Sequence, residues 1–147
     1  MDIMLQLKIL GEMLLALILG GIIGFEREAA NKPAGLRTHM IVAGSAALLT
    51  GLGEVLVMQM SIEESLIRAD PIRMIEAVIT GITFLGAGTI IRHRGKDQIE
   101  GLTTAATLLL VGAVGIAVAL GQFVLAIGAT VVVLLILRVV KQGEEKL

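Results

Sequence analysis

Residues 101–137 read GLTTAATLLLVGAVGIAVALGQFVLAIGATVVVLLIL, a run without one charged side chain. As a single helix it would extend roughly 55 Å at about 1.5 Å per residue, whereas a hydrocarbon core of about 30 Å takes about 20 residues. The run is too long for one crossing and carries a turn signal at Leu120-Gly121-Gln122, so it predicts two membrane helices joined by a tight reversal. It shows none of the period-2 alternation of a barrel strand, and backbone groups in lipid must be satisfied within their own segment, which requires helices.

The rest of the chain has the same character: 56% of its residues are hydrophobic, 18 of 147 are glycine and the mean hydropathy is +0.93. Such a chain is an integral membrane protein. Five spans are predicted, at Leu5 to Phe25, Thr38 to Met58, Ile72 to Ile91, Leu102 to Leu120 and Phe123 to Leu137. The expected fold is an all-α membrane protein, one transmembrane domain over residues 1–147 forming a bundle of five helices, with no soluble C-terminal domain.

Lys and Arg favour short cytoplasmic loops. With five spans, Arg27, Lys32, Arg37, Arg92, Arg94, Lys96, Arg138, Lys141 and Lys146 fall on one side, against Lys8, Arg68 and Arg73 on the other. The N-terminus is therefore expected outside and the C-terminus in the cytoplasm. The first span has no basic n-region or small-residue cleavage site and reads as a retained helix. Cysteine is absent, which excludes disulfides and thiol chemistry. The two histidines, His39 and His93, cannot by themselves build a multi-histidine metal centre. Trp and Tyr are absent as well, so anchoring rests on Arg and Lys snorkelling at helix ends. A net charge of -1 gives no field for nucleic acid.

Three glutamates inside the spans carry the chemistry that spacing alone can show. The uncharged stretches Met13 to Phe25, Met40 to Gly53 and Ala77 to Ile91 separate Glu12, Glu54 and Glu76 from the cytoplasmic boundary by about 20 to 22 Å of helix each. All three carboxylates are then expected in one layer some 8 to 10 Å below the outer boundary. Intramembrane acids are costly and face the bundle or a wet cavity, and a carboxylate layer suits a proton path or a hydrated hard cation such as Mg2+. Glu12, Glu54, Asp70 and Glu76 are the candidate cation or proton site, with Glu54 and Glu76 as candidate metal ligands. The bland alternative pairs Glu12 with Lys8 one turn earlier, Glu76 with Arg73, and lets each acid snorkel to headgroups. Asp70-Pro71 reads first as a helix start, with Asp as N-cap and Pro at the first helical position.

Gly20-xxx-Gly24 is a small-residue face for helix packing or a dimer, and Gly81, Gly86 and Gly88 make a denser one that could also break the third helix. Gly35-Leu36-Arg37-Thr38 opens the second span and Gly101-Leu102-Thr103-Thr104 the fourth, each fifteen residues after a small pair, Gly20-Gly21 or Gly86-Ala87. A parallel repeat of two helical hairpins is the corresponding expectation. The loop between the first two spans is a dense polar joint. Glu26, Arg27, Arg37 and His39 are expected to pair there with one another and with Arg92 or Glu100 of the second joint.

Gly-Phe-Glu-Arg-Glu at 24–28, Lys-Pro-Ala-Gly-Leu-Arg-Thr-His at 32–39, Asp-Pro-x-Arg at 70–73, Phe-Leu-Gly-Ala-Gly at 84–88 and Gly-Leu-Thr-Thr-Ala-Ala at 101–106 resemble the MgtC/SapB family over nearly the whole chain. The resemblance implies a bacterial inner-membrane protein linked to growth at low magnesium and, in pathogens, to survival inside macrophages. Magnesium uptake, regulation of membrane ATPases and effects on membrane potential are the activities it offers. The chain departs from the family pattern at Thr83, where glycine is usual, at Leu109, where an aromatic is common, and at Glu76-Ala77 in place of Ala-Gln. The expected function is adaptation to low magnesium by binding or passing Mg2+ or H+. The alternative is a non-transporting regulator that docks a membrane ATPase. A homodimer is expected, and no enzyme, since no nucleophile, base and orienter converge.

Overall fold

The computed structural model describes residues 2–60, 70–92 and 99–144. Of the positions singled out above, Arg68, His93, Arg94, Lys96 and Lys146 lie outside the described residues, as do the side chains of Arg92 and Lys141. Five helices follow in order: α1 (Ile3–Ala29), α2 (Leu36–Met60), α3 (Pro71–Ala87), α4 (Leu102–Ala119) and α5 (Phe123–Glu144). Among the described residues, α1, α2 and α4 are long and apolar enough to cross a membrane; α3, with 17 residues, and the apolar part of α5, Phe123–Val139, are shorter.

Two of the joints are built alike. α1 stops where Asn31 takes a left-handed conformation (φ 52°), the Lys32 N–H donating to the Arg27 carbonyl and the Asn31 N–H to that of Glu28. α4 stops where Gly121 does the same (φ 70°), with Gln122 donating to Ala117 and Gly121 to Val118. Both are Schellman ends, in which Asn or Gly accepts the left-handed turn and the last carbonyls find donors. The uncharged run 101–137 therefore reverses at the turn signal that its length demanded.

The third joint differs from expectation. The helix foreseen to Ile91 ends at Ala87, and a short ribbon follows in the otherwise all-helical fold: β1 (Ile91–Arg92) pairs antiparallel with β2 (Ile99–Glu100). Gly86 and Gly88 weaken the last turn, Thr89 closes it by donating from Oγ1 to the Gly86 carbonyl (2.7 Å), and the β-branched Thr89-Ile90-Ile91 that follow favour an extended chain. β2 passes into α4 at Gly101, whose φ of 94° and contact with the Thr89 carbonyl leave no room for a side chain.

α1, α2 and α4 pack on one another as the centre of the molecule, α3 lies against α2 and α4, and α5 against α4 and α1. Lipid supplies no hydrophobic force between helices, so close contact of small residues holds them. A side chain at Gly20 would stand 2.6 Å from the His39 carbonyl and one at Gly24 2.8 Å from the Leu36 Cα; at Gly115 it would strike the Ala43 carbonyl. Gly20 and Gly24 are thus used within the chain, between α1 and α2. Gly86 packs on Ala105 of α4, while a side chain at Gly81 would meet nothing within 4 Å.

Candidate functional site

The described polar groups gather at the two ends of the central trio. At the α1–α2 joint, Arg27 is buried and its Nε donates to Glu26 Oε2. His39 is fully buried, with Nδ1 2.9 Å from the Gly35 carbonyl and Nε2 3.2 Å from Thr107 Oγ1. A carbonyl only accepts, so Nδ1 carries the proton. The Thr107 hydroxyl also lies 2.9 Å from the Thr104 carbonyl. It serves neutral His39 by donating to Nε2, and on protonation of the ring it can turn to Thr104 and accept instead. α2 begins after Gly35, which has no side chain to cap it, and Glu28 Oε2 accepts the Leu36 N–H at 2.9 Å from across the joint.

Of the residues foreseen for this joint, Glu26, Arg27 and His39 are drawn inward, and Glu26 pairs with Arg27. Arg37 is exposed. Arg92 and Glu100 sit on the two-stranded ribbon, opposite Ile99 and Ile91. Sequence reasoning missed Glu28, Thr104 and Thr107. The spacing of Thr104 and Thr107, one turn apart after the Gly-Leu-Thr-Thr helix start, was the signal available for the last two.

At the other end, Glu12 is buried beside Lys8, whose Nζ lies 3.4 Å from Oε1; that oxygen accepts no hydrogen bond. Glu54 is half-buried on the wall of a cavity of 340 Å³, with Thr50, Met58, Pro71, Met74 and Leu120 among its neighbours. Asp70 caps α3, accepting the Ile72 N–H at 3.0 Å, and Pro71 takes the first helical position. Glu76 is exposed on α3.

Packing of Ile9 on Gly51 and of Met74 on Gly53 sets the register, and by it Glu76 falls within about a turn of the level of Glu54, whereas Glu12 lies about 9 Å, nearly two turns, closer to the α1–α2 joint. The three carboxylates do not come together. Glu76 does not line the cavity that Glu54 faces. Among the described residues, no group of three or more acidic or histidine side chains is placed to hold a metal ion. Between the two polar ends the centre is apolar, with Ala43, Ala46, Ala47, Val111 and Val114 all buried.

The MgtC family model matches residues 13–146. The chain belongs to the MgtC family. Among relatives, this MgtC-family chain is 41% identical over 133 residues to an uncharacterized protein of Haemophilus influenzae, covering 90% of the chain and 56% of that protein. It is 37% identical over 135 residues to "Putative magnesium transporter YhiD" of Escherichia coli (88% and 59%) and 37% identical over 131 residues to Protein MgtC of Salmonella typhimurium (89% and 52%). The chain thus spans little more than half the length of these relatives. No solved structure matches it.

Proposed function

We propose that this MgtC-family chain is a bacterial inner-membrane protein that supports adaptation to low magnesium by binding or passing a cation, Mg2+ or H+. The supporting observation is Glu54, a half-buried carboxylate on a cavity wall whose side chain makes no hydrogen bond or ion pair among the described residues. Glu12, about 9 Å deeper, is a buried acid with an oxygen free of hydrogen bonds. Apart from the Thr50 hydroxyl, which donates to the Ala46 carbonyl, the other cavity residues named above are apolar. Such a site suits a proton, or an ion that keeps its water and meets one carboxylate through it; a divalent ion stripped of water would need more oxygen ligands. The name of the Escherichia coli relative, as printed, points the same way.

The α1–α2 joint belongs in the cytoplasm on the count of basic residues, and the N-terminus outside, which puts the Glu54 cavity at the outer face. A parallel repeat of hairpins is supported by one correspondence: Gly20 approaches the carbonyl of His39, nineteen positions on, and Gly86 that of Ala105, again nineteen on.

The second reading is a non-transporting regulator that docks a membrane ATPase and affects membrane potential. The apolar, closely packed centre between the polar ends favours it, since ions need a wet path. Uptake of Mg2+ and of protons into proteoliposomes distinguishes the two. Transport predicts uptake by the parent chain and its loss in Glu54→Gln. Absence of both fluxes from the parent, with no cation binding, leaves the regulator.

A further inference from the structure

We propose that the outward face of α3 is a self-association surface, where a second copy packs α3 against α3 and Arg73 of each copy pairs with the partner's Glu76. α3 buries only Ile82 and Gly86 among its residues. On the opposite side Arg73, Glu76, Thr80 and Thr83 are exposed at the alternating three- and four-residue spacing that makes one stripe along a helix. Phe84 beside them is 84% exposed.

This stripe is ill suited to lipid. Glu76 lies about 8 Å along the helix from Pro71, so it is a charge drawn into the bilayer, where ionisable groups turn inward or find partners. Among the described residues neither Arg73 nor Glu76 has an ion pair or a side-chain hydrogen bond, although they stand one turn apart on the same helix. The threonines need nothing further: Thr80 Oγ1 donates to the Glu76 carbonyl (2.7 Å) and Thr83 Oγ1 to that of Ile79 (2.8 Å), leaving their methyls outward. The other flanking helix, α5, makes the contrast. Val124, Leu125, Val131, Val132 and Leu135 are exposed on it, and lipid covers them without penalty.

The occupant follows from charge. A face that meets its own copy across a two-fold axis must be self-complementary, each residue i touching j while j touches i. A cation and an anion one turn apart meet that condition, because an axis along the membrane normal sets the two stripes side by side at equal depth. Arg73 then reaches one turn along to the partner's Glu76, and the reverse pair forms with it. Ala77 and Gly81 border the groove between α3 and α2, so the contact with the second copy is made by the stripe itself.

The absence of cysteine makes the test clean. Thr80→Cys and Val132→Cys are oxidised separately in the full chain, in vesicles of phosphatidylethanolamine and phosphatidylglycerol. A disulfide-linked dimer is expected for Thr80→Cys, and only the background of random collisions for Val132→Cys on α5. Adding Arg73→Glu, which places like charges across the interface, should cut the Thr80→Cys dimer about tenfold. Arg73→Glu with Glu76→Arg should restore it, which separates lost pairing from lost folding. Equal yields at the two cysteines, monomers at Thr80→Cys, or charge variants without effect would overturn the proposal. So would a Thr80→Cys adduct in native membranes with a different protein in place of the dimer. Since the readout is association and not flux, the result stands whatever the chain transports.

Discussion

His39 shows how much one buried side chain can settle at the α1–α2 joint. It fastens α2 to α4 through Thr107, and its other nitrogen satisfies the Gly35 carbonyl at the start of α2. Thr107→Val removes the hydroxyl and strands a buried ring nitrogen, so it should cost about 1–3 kcal/mol, read from chemical unfolding in detergent. Glu28→Ala removes the remote cap of α2 and should cost about 0.5–2 kcal/mol in the same assay, while Glu28→Gln, which keeps an acceptor oxygen, should cost less. The motif around residues 24–39 marked His39, Glu26 and Arg27 as a polar joint. It could not reveal Thr107, because a hydrogen bond between residues 68 positions apart leaves no local trace.

Helices here are placed by glycines that touch backbone. Gly115→Ala drives a methyl into the Ala43 carbonyl between α4 and α2 and should destabilise by about 1–3 kcal/mol, seen as a lower melting temperature in detergent. Gly128→Ala on α5 meets nothing within 4 Å and should leave that temperature unchanged or slightly raised. The number of helices and the reversal at Gly121 were legible from run length and from the turn signal Leu120-Gly121-Gln122. The end of α3 was not, because Ile90 and Ile91 continue the apolar run while their β-branched side chains serve an extended ribbon equally well. Which faces meet was hidden for a related reason: α4 is apolar all round, and such a helix gives no sign in its sequence of what covers it.

For the whole molecule, orientation is the first thing to measure. With no native cysteine to interfere, Lys32→Cys and Gln122→Cys should be labelled by a membrane-impermeant thiol reagent from opposite sides, Lys32→Cys from the cytoplasm. Labelling of both from one side would overturn the five-span arrangement. The uncharged stretches that precede or follow the three glutamates count how far along each helix they lie, but not which way they face. Depth is a count along each helix, but convergence depends on how each helix is rotated, and that is fixed by contacts such as Gly53 on Met74.

The central trio has a consequence for biogenesis. α1 and α2 leave the ribosome first and can close their hairpin at once, yet the third member of the trio is the fourth helix made. Until Gly115 arrives, the stretch around Ala43 and Ala46 lacks its partner on α4, although α3 has already been made. The nascent protein therefore passes through a stage when its tightest seam is open, and membrane quality control would have its best opportunity then.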